Sequence, residues 1–156
     1  MLEAMADPSG GSGKPRVVYV VDDDARKREV MALLEPTCDV VPAYDSAEAL
    51  AALRTAAAQV VCVELSAQTA ALELLRLARQ LYAGLSTILI ADHRDLLADG
   101  ASTEVAHVVL LRPYAPRELV TSVERAITRA RLQGTLARRA SGTMSAVAPP
   151  SSRRDD

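Results

Sequence analysis

With 156 residues and 49% apolar side chains, the chain is long enough to form one domain with its own core. Only 3% of the residues are aromatic and the formal net charge is −2, so the composition favours neither a base-stacking platform nor a basic duplex-binding surface, and we expect no nucleic-acid partner. The two cysteines lack metal-ligand or disulfide spacing and no segment resembles a signal peptide or a membrane span, so we predict a cytoplasmic protein with no membrane partner.

Short apolar segments alternate with helical patterns from residue 16 onward. Predicted strands cover 16–21, 38–42, 59–64, 86–90 and 107–111. Predicted helices cover 24–35, 46–55, 69–82 and 95–104, and a last helix begins at Pro116 and ends before Gly134. Runs of β-branched residues that stop abruptly at charged residues are typical of buried parallel strands. Asp24 is predicted to cap the first helix, because aspartate is a preferred N-cap residue.

This alternation predicts an α/β fold, a doubly wound five-stranded parallel sheet in a single domain. Pro42 lies in or beside the second strand, and proline is tolerated mainly at sheet edges because it lacks an amide hydrogen. An edge position for the second strand fits the flavodoxin-like order 2-1-3-4-5. We predict a disordered leader at 1–15, the folded domain at 16–133 and a disordered basic tail at 134–156.

Charged residues stand at the ends of three of the predicted strands. The first strand is followed by Asp22 and Asp23, the third ends at Glu64, and the fifth is followed by Arg112. Because the carboxyl ends of parallel strands meet at one edge of the sheet, we expect these side chains to form a pocket there. The acidic run alone has a simpler explanation, since carboxylates are also favourable at a helix N-terminus.

In strand order and spacing, residues 16 to about 132 resemble the receiver domain of bacterial response regulators, the CheY-like family. In that family an acidic pair follows strand one, a phospho-accepting Asp ends strand three, a Thr or Ser ends strand four, and Lys-Pro follows strand five. The resemblance implies that Asp22 and Asp23 correspond to the acidic pair and Arg112-Pro113 to Lys-Pro. It also implies that such a carboxylate cluster binds Mg²⁺, which offsets charge as an aspartyl phosphate forms.

The chain departs from this family at the positions that carry phosphotransfer. Glu64 stands in place of the phospho-accepting Asp, Ala91 in place of the switch Thr or Ser, and Val109 in place of the switch aromatic residue. The longer side chain moves the carboxylate by about 1.5 Å, and a misplacement of that order can cost about 100-fold in an in-line transfer. Ala91 offers no hydroxyl to a phosphate oxygen. Arg112 can pair with Glu64, and this pair would mimic part of the charge of a bound phosphate.

We therefore predict an atypical receiver, or pseudo-receiver, that acts in two-component-type signal transduction through phosphorylation-independent protein–protein interaction and is not an enzyme. The resemblance implies a protein partner, a signalling protein or kinase, on the face formed by the helix at 95–104, the strand at 107–111 and the helix from Pro116. Self-association into a homodimer stays open. No cofactor is expected, and whether Asp22 and Asp23 bind Mg²⁺ stays open.

Two alternatives remain from the sequence. In the first, the chain is a genuine phospho-accepting single-domain response regulator that uses Asp22, Asp23 or Asp24 as acceptor. In the second, Asp22 and Asp24 form the acid pair of a haloacid-dehalogenase-like phosphatase, although Ala25-Arg26 follows where that family has a threonine. His93 and His107 have no partners at metal-ligand spacing, and we predict surface or strand-edge positions for them.

Overall fold

The computed structural model describes residues 13–92 and 105–152, with side chains as far as residue 136. The elements are β1 (Arg16–Val21), α1 (Asp24–Leu34), β2 (Asp39–Ala43), α2 (Ser46–Thr55), β3 (Val60–Glu64), α3 (Gln68–Leu81), β4 (Ser86–Asp92), β5 (Val108–Arg112) and α4 (Pro116–Ser152). Each predicted strand agrees with an observed one to within about two residues, the usual uncertainty of such boundaries. The helix predicted at 95–104 and His93 lie outside the described residues.

The five strands form one parallel sheet in the order β2-β1-β3-β4-β5. This confirms the predicted fold class and strand order. Pro42 lies on the edge strand β2, opposite Tyr19 of β1, where its missing amide hydrogen removes no bond from the interior of the sheet. β3 lies at the centre and all of its residues are buried, which explains why its sequence is a continuous apolar run until Glu64.

A hydrophobic core covers each face of the sheet. On one face Val18, Val61 and Leu89 pack against apolar residues of α2 and α3. On the other face lie Tyr19 and Cys62, which pack with residues of α1 and α4. Because strand side chains alternate between faces, Glu64 projects on the same face as Cys62, towards α1 and α4. This alternation brings Tyr19 and Glu64 to one side of the sheet.

The first helix begins one residue earlier than the capping prediction requires. Asp23, with extended backbone angles of φ −125° and ψ 119°, is the N-cap, and its carboxylate accepts a hydrogen bond from the backbone N–H of Ala25. Asp24 is the first helical residue. The prediction that Asp24 is the cap is therefore wrong, because β1 ends at Val21 and the turn into α1 needs only two residues.

The last helix continues to Ser152, although the sequence analysis predicts an end before Gly134 and a disordered tail at 134–156. The predicted end of the helix is therefore wrong, whereas the division into a leader, a domain at 16–133 and a tail at 134–156 stays a prediction. Gly134 by itself costs a helix only about 1 kcal/mol relative to alanine, and most of the residues at 135–140 that follow it are good helix formers, so the helix can continue past this position. Of the predicted leader at 1–15, residues 1–12 lie outside the described residues. Within the described part of the chain, no helix combines the length and apolar character needed to cross a membrane.

Candidate functional site

An open cleft of about 790 Å³ lies at the carboxyl edge of the sheet, between the ends of β1, β3, β4 and β5. Four of the predicted site residues line it, namely Asp22, Asp23, Glu64 and Arg112, and Arg26, Ser66, Asp92 and Tyr114 line it as well. The strand ends therefore bring together the charged residues that the sequence singles out.

Glu64 is the most constrained charged group of the cleft. It is the last residue of β3 and only 5% exposed. Its Oε1 atom accepts a 2.6 Å hydrogen bond from the hydroxyl of Tyr19. Its Oε2 atom accepts hydrogen bonds from Arg26 Nε at 3.0 Å and from Arg112 Nη1 at 3.3 Å. Burial of a carboxylate costs several kcal/mol unless it is paired and hydrogen-bonded, and these three donors supply that pairing.

Tyr19 acts as a neutral donor beneath this carboxylate. Burial, together with the nearby Cys62 and Glu64, raises the pKa of Tyr19 well above its ordinary value. The hydroxyl therefore keeps its proton over the physiological pH range. A distance of 2.6 Å is typical of a strong O–H···O⁻ hydrogen bond to a charged acceptor.

Arg26 enters the cleft from the first turn of α1. A cation is unfavourable near a helix N-terminus, where the helix dipole is positive. Arg26 is nevertheless held there by Glu64 and by Glu29, whose Oε1 atom lies 2.9 Å from Arg26 Nη1. Its guanidinium carbon also lies 4.9 Å from the ring centre of Tyr114, within cation–π range. Burial lowers the pKa of Arg26, but the hydrogen bonds to Glu29 and Glu64 outweigh this effect and leave the pKa raised.

Arg112 joins the ends of three strands. It is the last residue of β5 and lies opposite Asp92 of β4, to which its Nε atom donates a 2.9 Å hydrogen bond. Its Nη1 atom also contacts Glu64 of β3 at 3.3 Å. Burial lowers the pKa of Arg112, but Asp92 and Glu64 outweigh it and leave the pKa raised. The pairing of Glu64 with Arg112 expected from the sequence is thus present, shared with a second carboxylate.

The two aspartates that follow β1 have structural partners of their own. Asp22 accepts hydrogen bonds at 3.1 Å from the backbone N–H and from the hydroxyl of Ser66, one on each carboxylate oxygen. Asp23 caps α1. Both residues line the cleft together with Glu64, but none of the three carboxylates is a free ligand.

The carboxylate oxygens of Asp22, Asp23 and Glu64 do not fit the Mg²⁺ site that the receiver resemblance implies. Mg²⁺ requires oxygen ligands in a near-octahedral arrangement, whereas both oxygens of Glu64 accept hydrogen bonds and one of them faces two arginines. Among residues 13–92 and 105–136, no cluster of three or more acidic, histidine or cysteine side chains is placed to hold a metal ion. Arg26 and Arg112 supply the positive charge of the cleft.

The two other switch-equivalent positions lie away from the cleft. Ala91 is fully buried in β4, one residue before the strand ends. Val109 is half-buried in β5 and packs against the core on the α2 and α3 side of the sheet. Neither residue lines the cleft, and neither carries a hydroxyl or a ring that could respond to its contents.

His107 immediately precedes β5, so it lies at the amino ends of the strands, whereas the cleft lies at their carboxyl ends. Its Nδ1 atom accepts a 3.1 Å hydrogen bond from the backbone N–H of Thr87. Burial, followed by the positive charges of Arg129 and Arg79, lowers the pKa of His107 to about 4. The strand-edge position agrees with the sequence analysis, and the hydrogen bond identifies His107 as a neutral structural residue.

Tyr19 and Arg26 are the two partners of Glu64 that the sequence analysis missed. Both left a signal in the sequence. Tyr19 is the only residue with a polar group among the apolar residues 17–21 of β1, and a buried tyrosine hydroxyl usually needs a partner. Arg26 places a cation in the first helical turn, against the helix dipole.

Comparison with known proteins gives matches at the level of structure. No protein-family model and no curated protein matches the sequence. A response regulator receiver domain protein from Clostridium thermocellum is 22% identical, with a TM-score of 0.67 over 76% of this chain and 98% of its own. The chemotaxis response regulator CheY4 of Vibrio cholerae is 20% identical, with a TM-score of 0.65 over 72% and 98% of the two chains.

A third similar structure, described as an adenylate cyclase from Rhodopirellula baltica, is 18% identical and has a TM-score of 0.75 over 82% of this chain and 98% of its own. At identities this low, the likeness shows the fold alone, and any activity has to be argued from the residues of the site. The sequence resemblance is confirmed at that level: the chain has the fold of a response regulator receiver domain.

Proposed function

We propose that this protein is a pseudo-receiver, a signalling module that acts in two-component-type signal transduction by binding a protein partner without being phosphorylated. The proposal includes no catalytic role for the chain. It is supported by the receiver fold together with the contacts of one residue, Glu64, at the position where receivers carry the phospho-accepting Asp.

The contacts of Glu64 carry the proposal. An acceptor carboxylate must present an oxygen to the phosphorus atom in line with the leaving group. Both oxygens of Glu64 are instead engaged, one by Tyr19 and the other by Arg26 and Arg112. A carboxylate in this state is a fixed negative charge bound to two cations, as a phosphate bound to the same cleft would be.

We propose that signalling depends on the partner-binding face, whose conformation the charge of Glu64 stabilises. Arg112 connects Glu64 to Asp92 and to the end of β5, and β5 and α4 form part of the face expected to bind the partner. The remaining part of that face, the helix predicted at 95–104, lies outside the described residues. We propose a cytoplasmic signalling protein or kinase as the partner.

Incubation with acetyl phosphate and Mg²⁺, followed by intact-protein mass spectrometry, tests the central claim. An ordinary receiver treated in parallel serves as the positive control. We expect no gain in mass for this chain while the control gains one phosphoryl group. A hydroxylamine-labile gain of one phosphoryl group would instead identify a genuine phospho-acceptor, and peptide mapping would assign it among Asp22, Asp23 and Asp24.

Partner binding provides the second test. We expect Glu64→Ala to weaken the affinity for a partner captured with the wild-type chain, because the substitution removes the charge that holds Arg26 and Arg112. Glu73→Ala is the matched control, since Glu73 is an exposed residue of α3 outside the cleft. Equal partner affinity in wild type and Glu64→Ala would contradict the proposed role of the fixed charge.

A further inference from the structure

The cleft pairs its buried carboxylate with a cation that belongs to the chain. We propose that Arg26 is a tethered cation that takes the place of a divalent metal ion at the acidic cleft and excludes such an ion from it. This inference rests on the proposed function and deepens it, because it explains why the cleft keeps one state without metal or phosphate.

The first argument is one of position. Arg26 lines the same cleft as Asp22, Asp23 and Glu64, the three carboxylates that would have to supply a metal ion's ligands. Its Nε atom lies 3.0 Å from Glu64 Oε2. A divalent ion bound to that oxygen would lie within a few ångströms of the guanidinium, where the repulsion between the two cations is strong.

The second argument concerns how firmly Arg26 is held. It contacts Glu64 inside the cleft, Glu29 three residues further along α1, and the ring of Tyr114. Two ion pairs and one cation–π contact together fix the direction of a side chain that is usually flexible. Arg26 therefore differs from an incidental surface arginine, which would gain little from a single exposed ion pair.

The third argument is the cost of placing a cation at this point of the helix. Arg26 lies three residues after the cap Asp23, where a positive charge opposes the helix dipole and an acidic residue would be more favourable. A glutamate or glutamine at this position would also complete a capping box. Within α1 Arg26 gains only the i,i+3 ion pair with Glu29, and its other favourable contacts are with Glu64 and Tyr114, which line the cleft.

Mn²⁺ binding to the full chain, measured by calorimetry or by the electron paramagnetic resonance signal of the free ion, tests the inference. We expect weak or undetectable binding to the wild type at millimolar Mn²⁺. Arg26→Met keeps an unbranched apolar stem and removes the charge, and we expect it to bind Mn²⁺ at least about tenfold more tightly. Arg28→Met is the matched control, since it removes the same charge from an exposed residue of α1 that does not line the cleft.

Several outcomes would overturn the inference. These are tight Mn²⁺ binding by the wild type, no gain in Arg26→Met, and an equal gain in Arg28→Met, which would indicate an effect of net charge alone. Arg26→Lys retains a cation, so binding as tight as that of Arg26→Met would also contradict it. If Arg26→Met is too unstable for direct titration, Mn²⁺ should raise its melting temperature more than that of the wild type, and an equal shift overturns the inference.

The two proposals fail in different ways. A phosphoryl group on the wild-type chain would refute the pseudo-receiver function whatever its metal affinity. Tight Mn²⁺ binding by a wild-type chain that gains no phosphoryl group would refute only the tethered cation.

Discussion

The hydroxyl of Tyr19 and the carboxylate of Glu64 form a 2.6 Å hydrogen bond between two side chains that are 1% and 5% exposed. Tyr19 pairs with Cys62 in the sheet, and Glu64 lies two residues further along β3. The tyrosine ring therefore runs along the face of the sheet to meet the glutamate at its edge. An aspartate at position 64 would be shorter by about 1.5 Å and would leave the hydroxyl without this acceptor, so the two residues fit each other.

Tyr19→Phe should lower the free energy of unfolding by about 1.5–3 kcal/mol, the range for a hydrogen bond to a charged group. The ring and its packing are retained, so the loss reports the hydroxyl. Urea unfolding measures the change. Tyr44→Phe is the control, because Tyr44 is 55% exposed and surface substitutions of this kind usually stay within about 0.5 kcal/mol. Equal stabilities of the two variants would show that the Tyr19 hydroxyl contributes nothing.

Glu64→Asp alone should not convert the chain into a phospho-acceptor. The shorter carboxylate would lie closer to the position of a receiver's acceptor, but Arg26 and Arg112 would still line the cleft, and Ala91 would still offer no hydroxyl. We expect no gain in mass after incubation with acetyl phosphate and Mg²⁺, beside an ordinary receiver that gains one phosphoryl group. A phosphoryl group mapped to position 64 would show that the length of the acidic side chain alone prevents phosphorylation of the wild type.

The fold and part of the site could be predicted from the sequence because both depend on strand ends. The positions of Glu64 and Arg112 follow from where two apolar runs stop, and parallel strands bring such ends to one edge. The contribution of Arg26 could not be predicted in this way. A long helical side chain can point to solvent or back over the preceding turn, and only the packing of α1 on the sheet decides which groups it reaches.

Tyr19 was missed for a related reason. Within the run 17–21 it looks like any other core residue of a buried strand, and period-two alternation assigns its face but not the atom that its hydroxyl meets. The end of α4 was wrong because a single glycine is a weak helix breaker. Residue patterns therefore predicted the strands, their order and the strand ends that line the cleft, whereas the contacts of the longest side chains required the structure.

Asp23→Ala should destabilise the chain by about 1 kcal/mol, because it removes the side chain that caps α1. Asp23→Asn should retain most of the stability, since asparagine caps helices equally well. Asp24→Ala is the matched control: Asp24 is the first helical residue and contributes mainly through its charge, an effect that salt screens. Urea unfolding at high salt distinguishes the loss of the Asp23 cap, which salt leaves unchanged, from the loss of the Asp24 charge, which salt screens. A larger loss for Asp24→Ala than for Asp23→Ala would contradict the assignment of the cap.

His107 should make the protein less stable as the pH falls from about 6.5 to about 4. Its pKa in the folded chain is lowered to about 4, first by burial and then by Arg129 of α4 and Arg79 of α3. The unfolded chain, with an ordinary histidine pKa near 6.5, therefore binds a proton over this range while the folded chain does not. The linkage between proton binding and folding then favours the unfolded state. Above about 6.5 neither state binds this proton, and below about 4 both do, so the contribution of His107 is constant outside the window.

Urea unfolding at pH 7.5 and at pH 4.5 measures this effect. Carboxylates also titrate near the lower pH, so the comparison is between variants and not between pH values alone. His107→Gln retains an acceptor for the backbone N–H of Thr87 and removes the titrating ring, and we expect it to lose less stability between the two pH values than the wild type. A wild type and a His107→Gln variant with the same pH dependence would mean that burial and the charges of Arg129 and Arg79 do not hold the His107 ring neutral in the folded chain.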